Sequence, residues 1–315
     1  MRLIDKEIVC GSRNKSFYFY FIGDIHLGAA NCAEKQVRRL VGKISKTPNA
    51  YWIGGGDYCE CIKPSDLRRF EFEGLPDWML GPDAKQFFID IKNVLTEEDA
   101  AGVLKKYKGK IKRNLRDIVS VQRQRIIKIF DPIKDKCLGL LEGNHEEKMR
   151  KYHNLDHHGF VCNDLGVEDL TSEALFRMRF VRGDAARIVK MFVCHGHGGG
   201  RTAGAEPNHL FRLTAHWRVD LILRGHSHTF CINPPLVELG VPNNGALPDE
   251  CLQYYKRAGN WGCWLKSYAA GASTYVTRAT YPPRPLSTLE IEIKPHAHSC
   301  SGPELPKISM KELVV

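Results

Sequence analysis

Short apolar runs punctuate this chain, and most of them stop at the same kind of sequence: glycine beside Asp, Asn or His. Residues 17–22 run into Gly23-Asp24-Ile25-His26-Leu27-Gly28, and residues 50–53 run into Gly54-Gly55-Gly56-Asp57. Residues 137–141 lead to Gly143-Asn144-His145-Glu146, residues 188–194 to His195-Gly196-His197-Gly198, and residues 219–223 to Gly225-His226-Ser227-His228. Brief β-favouring runs closed by glycine and polar residues predict buried strands that end in loops. Residues 1–22 hold one or two strands, and residues 175–182 alternate in period two, as a half-exposed strand does. Between the runs the period lengthens to that of helices. Residues 32–45 place Val37, Leu40, Val41 and Ile44 on one face. Residues 111–130 do the same with Leu115, Ile118, Val119, Ile126, Ile127 and Phe130, and residues 208–217 suggest a further helix. Thr96-Glu97-Glu98-Asp99 has the cap and acidic first turn of a helix start. Residues 230–265, rich in Pro, Gly and Asn, read as loops; residues 268–279 and 287–293 read as closing strands; residues 295–315 are weakly patterned and expected to be partly disordered. Strands alternating with helices predict an α/β protein.

At 315 residues the chain can hold one large core or two domains. With no repeat and no linker composition, one domain over residues 1–300 is expected, with a helical, basic insertion at about 62–135 and a tail at 301–315. No apolar run is long enough to span a membrane, and residues 1–11 are charged rather than signal-like, so a cytoplasmic protein with no membrane partner is expected. Eleven cysteines form an odd, irregularly spaced set without a C-x-x-C pair, which predicts reduced thiols serving as small core residues. The net charge of +10 favours an anionic partner, though solubility alone would account for it.

The strand ends are where open α/β sheets place their ligands. Asp24 and His26, two apart on one loop, can face one point and suit a divalent cation of mixed N/O preference such as Mn, Fe or Zn. Taken singly, an Asp-x-His is more often a cap or a turn, and Asp57 could be a turn residue; the recurrence at successive strand ends favours a site. Asn144 can ligate through its amide oxygen without adding charge, and His145 beside it could act as a general acid. His226 and His228, one residue apart, can address two metals. His153, His157 and His158 have no strand before them and read as surface or substrate-rim residues. Residues 105–128 concentrate Lys and Arg, Lys110, Lys112, Arg113 and Arg116 among them, with Asp117 the lone acid. Such a run is commonly a solvated helix face; the other reading is a surface that touches phosphates. Stacking aromatics are not regularly interleaved, which weakens a nucleic-acid interpretation.

In order, the motifs are Asp-x-His, Gly-Asp, Gly-Asn-His-Glu, His-Gly-His and Gly-His-x-His, spread over residues 23–228. Together they resemble the calcineurin-like metallophosphoesterase superfamily. Asp-Ile-His-Leu-Gly is most similar to the nuclease subunit of double-strand-break repair complexes, and the closing segment 268–293 is similar to calcineurin-like esterases of phage genomes. The resemblance implies a four-layer αββα sandwich of two mixed β-sheets flanked by helices, with a helical insertion. It implies two divalent metal ions, one held by Asp24, His26 and His228, the other by Asn144, His195 and His226, with Asp57 between them. A hydroxide shared by the metals would attack phosphorus in line, and His145 would protonate the leaving oxygen. Glu60 stands where several members carry an Asp that orients this histidine. His197 would be a rim or phosphate contact.

The resemblance leaves the substrate open: a phosphate ester, with DNA, RNA or nucleotides favoured by the basic insertion, hence a phosphodiesterase or nuclease. The alternative is a phosphomonoesterase acting on protein or small molecules, although Gly56-Asp57-Tyr58-Cys59-Glu60 departs from the protein-phosphatase pattern. A non-catalytic binding module of the same fold is disfavoured, because such modules lose the acid histidine or ligands. The oligomeric state is left open.

Overall fold

Strand β2 (Phe17–Ile22) carries aromatic residues on both of its faces. Phe17, Phe19 and Phe21 enter one buried layer, and Tyr20 and Ile22 enter the next. Both faces are covered, which is why the run reads as continuously apolar rather than alternating. The computed structural model describes residues 1–63, 75–114, 117–200, 202, 204–241, 252–268, 283–297 and 306–315. Before β2 lies β1 (Arg2–Val9). After it come α1 (Glu34–Lys46), β3 (Ala50–Gly54), α2 (Asp77–Lys92), α3 (Glu97–Asn114), α4 (Ile118–Phe130), β4 (Cys137–Leu140), α5 (Asn144–His153), α6 (His157–Leu165) and β5 (Glu173–Arg182). The chain continues through β6 (Ala185–Cys194), α7 (Ala205–His216), β7 (Leu221–Arg224), β8 (Phe230–Ile232), β9 (Leu236–Gly240), β10 (Leu252–Trp261), β11 (Ser287–Lys294) and β12 (Lys307–Val314).

The strands form two mixed sheets. One has the order β12-β11-β2-β3-β4, with β2, β3 and β4 parallel and β11 antiparallel to both neighbours. The other has the order β1-β5-β6-β7-β10-β8, with β9 paired to β10. Their inner faces meet in one core, where Phe19, Phe21, Leu289 and Ile291 from the first sheet join Phe176, Met178, Met191 and Leu223 from the second. Helices α1 and α4 cover the outer face of the first sheet through Val37, Leu40, Ile44, Ile126 and Phe130. Helix α7 covers the second through Leu210. The result is an α/β sandwich of two mixed sheets flanked by helices. Each fully buried aliphatic side chain in these layers stabilises by about 1.5–3 kcal/mol.

Several expectations needed correction. The helix expected over 111–130 is two: α3 ends at Asn114 and α4 begins at Ile118, while 115–116 lie outside the described residues. Helix α2 lies within the insertion expected to be helical, although Gly81-Pro82 inside it reads as a break. The stretch 230–265, read as loops, holds β8, β9 and β10. The polar, glycine-containing sequence of β10 is paid no heed by local patterning; it is a strand because β7 pairs with it in parallel and β8 and β9 antiparallel. The 295–315 tail, expected to be partly disordered, contributes β12, which pairs with β11 from Lys307 to Val314. Most of the proposed strand 268–279 lies outside the described residues. Nine described cysteines are free, and most are buried. Among the described residues, no helix is long and apolar enough to cross a membrane.

Candidate metal centre

Five loops meet at one edge of the two sheets. Asp24 and His26 follow β2, Asp57 follows β3, Asn144 opens α5 after β4, His195 follows β6, and His226 and His228 follow β7. Parallel pairing of β2 with β3, β3 with β4, and β6 with β7 sends these ends in common directions. The backbone is strained there. Asp24 and His26 (φ 50°), Asp57 (51°), His226 (68°) and His228 (56°) all occupy the left-handed region. For residues other than glycine this costs on the order of 1–3 kcal/mol each, and it persists only where the surroundings enforce it. Here the enforcement is visible. The amides of Asp24 and His26 donate to Gly56 O and Asp57 O at 2.9 Å, and the amide of Gly225 donates to His195 O at 3.1 Å. Gly143 must be glycine, since a Cβ there would lie 2.1 Å from the Asp57 nitrogen.

The side chains converge as two groups. Asp24, His26 and His228 form one, and Asp57, His195 and His226 form the other, with the ligand atoms of each group within 4.8 Å of one another. Asp57 Oδ2 lies between them, 3.7 Å from His26 Nε2 and 3.4 Å from His195 Nε2. Asn144 Oδ1 joins the second group, 3.2 Å from His195 Nε2. His26 Nε2 and His228 Nε2 face each other at 3.1 Å, and His195 Nε2 and His226 Nδ1 at 3.3 Å.

Partners on the far side of each ring settle which nitrogen points inward. His26 Nδ1 donates to Glu60 Oε2 at 2.9 Å, and His195 Nδ1 donates to Gly55 O at 2.7 Å. With the ring neutral, as a metal ligand must be, each Nε2 would turn its lone pair to the centre, the arrangement that orients histidine ligands of metals. The carboxylates make the place strongly electronegative. Burial alone would push the His26 imidazole down, but Glu60, Asp57 and Asp24 carry it up to about 9. Burial likewise opposes His195, and Asp57 and Asp24 carry it up to about 10. Asp57 is itself held well below the usual carboxylate range: burial would raise it, and the surrounding histidines, His195 first, outweigh that.

Whether a cation suits these residues can be judged from their unsatisfied atoms. Asp24 Oδ1 is buried and makes no hydrogen bond. The inward Asn144 oxygen lies 2.8 Å from His226 Nδ1 and 3.1 Å from Asp57 Oδ2 as well as near His195 Nε2, so it faces acceptors only. Without a cation, turning the amide over would put its nitrogen on all three and its oxygen on Lys148 Nζ at 3.1 Å. A divalent cation removes that preference, because oxygen, imidazole nitrogen and carboxylate are then all ligands. The donor set of three kinds, Asp, His and a neutral amide, suits a divalent cation.

The remaining expected residues fall out as follows. His145 Nδ1 donates to the Glu60 carbonyl at 2.6 Å, and its ring stands edge-on to His26 with centroids 4.6 Å apart. Glu60 thus contacts the histidine through its backbone, while its carboxylate serves His26. His197 is exposed, its ring centroid 6.3 Å from that of His226. Arg116 lies outside the described residues, and Lys110, Lys112 and Arg113 sit in α3 where only the backbone is described. Of the neighbouring basic residues, Lys106 pairs with Asp90, Arg123 with Asp164, and Arg125 with Glu34. His153 is exposed as expected, but His157 and His158 are buried, a correction to their reading as rim residues. His158 pairs with Asp169 at 3.0 Å behind the site, so helix α6 turns it into the core.

Two residues that support the site were not singled out by the sequence. Glu146, fully buried, accepts from the amides of Asp57 (3.0 Å), Tyr58 (2.8 Å), Cys59 (3.3 Å) and Gly143 (3.1 Å), which ties the β3 loop to the β4 loop. Its place in Gly-Asn-His-Glu was legible, though not its role. Trp261, at the end of β10, donates Nε1 to Asp24 Oδ2 at 2.9 Å. Its ring lies against Gly23, Gly55 and Gly225, where any Cβ would come within 3 Å of it. The glycines that precede the ligands therefore also make room for one indole.

No family model matches the chain, and no curated protein matches it. Among solved structures, it is similar to a conserved protein described as a predicted phosphoesterase from Streptococcus pneumoniae, at 10% identity and a TM-score of 0.31, over 94% of this chain and 99% of that one. It is similar to a Vps29 single mutant from Entamoeba histolytica at 10% identity and 0.29, over 94% and 99%. It is also similar to the NAD nucleotidase of Haemophilus influenzae at 10% and 0.36, over 96% of this chain and 50% of that one. Likenesses this distant carry no argument about chemistry; the residues at the strand ends do.

Proposed function

We propose that this chain is a metal-dependent phosphoesterase of the calcineurin-like kind, with phosphodiesters of nucleic acids or nucleotides as its substrates. The observation that carries the proposal is the position of Asp57 Oδ2 between two groups of inward-facing ligand atoms. Asp24, His26 and His228 would hold one divalent cation, Asn144, His195 and His226 the other, and Asp57 both. When bound, such cations neutralise phosphate charge and lower the pKa of water. Glu60 and Gly55 hold the inward tautomers of His26 and His195. His145 is fixed through Nδ1 to the Glu60 carbonyl, which leaves Nε2 as the atom that can pass a proton to a leaving oxygen. Preference for a diester over a monoester draws on the basic density of residues 105–128. The test is a parallel assay, with Mn²⁺ added, on a small phosphodiester, a phosphomonoester, and single- and double-stranded DNA. Turnover of the monoester alone would move the assignment to a phosphatase; turnover of none would remove it.

A further inference from the structure

Helix α6 carries His158 and Cys162 four residues apart, so both side chains leave the same face. Both residues are 2% exposed. Asp169, on the segment after the helix, turns its carboxylate to them, and one ligand atom from each of the three lies within 4.8 Å of the others. His158 Nε2 is 3.5 Å from Cys162 Sγ and 3.0 Å from Asp169 Oδ1. Zinc bonds of about 2.3 Å to sulfur and 2.0–2.1 Å to nitrogen, at a tetrahedral angle, would separate those two atoms by about 3.5–3.6 Å. The oxygen would have to move out to about 3.3–3.5 Å, a small shift for a side chain that is 39% exposed. The ring nitrogen has one hydrogen or one lone pair, so it can serve only one of the two groups well. A cation among the three serves all of them, and thiolate, imidazole and carboxylate are all donors that zinc accepts. The carboxylate is already oriented from behind, since Asp169 Oδ1 accepts from the Thr171 amide at 2.7 Å. We propose that His158, Cys162 and Asp169 form a zinc site, separate from the metal centre at the strand ends. On binding, the thiol proton passes to solvent and the sulfur ligates as thiolate. Three protein ligands leave the fourth position to water, and Asp169 gives the ion a way in. Without the ion, His158 has Asp169 as its partner. The amide of Glu142 donates to Thr171 O at 2.7 Å, and that of His195 to Ser172 O at 3.0 Å, so residues 169–172 join α6 to two loops of the strand-end centre. Zinc would clamp α6 to that segment and stabilise the folded chain by mass action. The inference does not depend on the function proposed above.

The experiment titrates Co²⁺, a coloured stand-in for zinc, into the chelator-treated full chain and follows the thiolate-to-cobalt charge-transfer band in the near ultraviolet. No cysteine belongs to the two ligand groups of the strand-end centre, so cobalt bound there gives no such band. The same titration is run on Cys162→Ser, Asp169→Asn and, as a control, Cys231→Ser, with circular dichroism checking each fold. The band should appear in the unaltered protein and in Cys231→Ser, be erased by added zinc, and be absent from Cys162→Ser. In Asp169→Asn it should need more than roughly 10–100-fold more cobalt, since a ligand matters more than an outer partner. Elemental analysis of the zinc-loaded proteins should find one ion fewer per chain in Cys162→Ser than in the unaltered chain. Absence of the band from the unaltered protein overturns the site, as does a band that survives Cys162→Ser or is lost in Cys231→Ser. If Cys162→Ser does not fold, Asp169→Asn decides, and unaltered cobalt affinity there overturns the site. If the band behaves as expected while no phosphate ester is hydrolysed, the proposed function fails and the zinc site stands.

Discussion

The strand-end cleft and the helical excursion between β3 and β4 are built by opposite means. In the cleft, acids and histidines are buried: Asp24, Asp57 and Glu146 are at most 1% exposed. Their backbones are held in strained conformations by bonds that cross from loop to loop. In the excursion, polar side chains pair with one another and tie α2 to α3. Asp90 accepts from Gln86, Lys106 and Tyr107, and Phe87 packs on Tyr107 between α2 and α3. A site that costs stability at each residue has to be enforced by the fold, whereas a surface of paired charges need only be soluble. The contrast implies that substitutions in the cleft change chemistry and folding together, while those in the excursion change neither unless they meet substrate.

The largest effect should follow Asp57→Asn. The carboxylate stands between both groups, and it also accepts from the His145 amide at 2.9 Å. Replacing a ligand should cost more metal affinity than the roughly 10–100-fold lost with an outer partner. Elemental analysis after dialysis should find both metals depleted. Depletion of only one would show that Asp57 does not serve both groups.

Next in size is His145→Ala, expected to lower turnover by roughly 10²–10⁴-fold, the usual contribution of a general acid. Metal content should stay, because none of the ring atoms joins either ligand group. Metal loss in this variant would break the division between holding and proton transfer. These two substitutions involve residues that were legible in the sequence, because a strand followed by Gly and a ligand is a local signal. What was not legible depended on distant contacts. Trp261 lies in a segment read as loop, and its role exists only because β10 pairs beside β7 and brings the indole under Asp24. His158 was misread for the same reason: its burial comes from the packing of α6, not from its neighbours in sequence. Strand β12 was missed although Ile308 and Met310 alternate, since an edge strand with charges on its open face carries a weak pattern.

Glu146→Gln should unfold the protein earlier without removing a ligand. One amide oxygen can replace only one carboxylate oxygen, so a pair of backbone N–H groups would face an NH₂. Leaving two buried donors unsatisfied costs about 2–6 kcal/mol. A thermal or urea melt checks this, and an unchanged midpoint would show that the two loops are held by other bonds.

A smaller effect concerns His158 and Asp169. Burial would push His158 down, but Asp169 carries it up to about 10, while its own partner, His158, holds Asp169 down at about 2. A histidine raised in the fold stabilises fully below its unfolded pKa, roughly 6.5, and that stability is lost as pH rises toward 10. The urea midpoint should therefore fall between these pH values in the unaltered protein and vary less in His158→Asn. Equal slopes in the two proteins would mean that the pair does not report on folding.

The smallest effect on the chemistry itself is expected from reversing Lys110, Lys112, Arg113 and Arg116 to Glu. The excursion leaves from the Asp57 loop and returns before Asn144, so its ends lie beside the cleft whatever its outer helices do. A basic surface on it could track a phosphate backbone and present one diester to the site. Binding of that kind releases counterions, so affinity should fall by roughly 0.9 log units per log unit of salt for each duplex phosphate contacted. Lys106, Arg123 and Arg125 already have acidic partners, which leaves fewer charges for a ligand than the sequence alone implies. If the excursion guides nucleic acid, the reversed protein should cleave DNA more slowly, lose part of the salt dependence, and hydrolyse a small diester at its former rate. If DNA is cleaved equally before and after reversal, these charges only solvate a helix, and a small-molecule ester becomes the better substrate. A loss on both substrates would instead show that the excursion supports the cleft, and the contrast between the two regions would not hold.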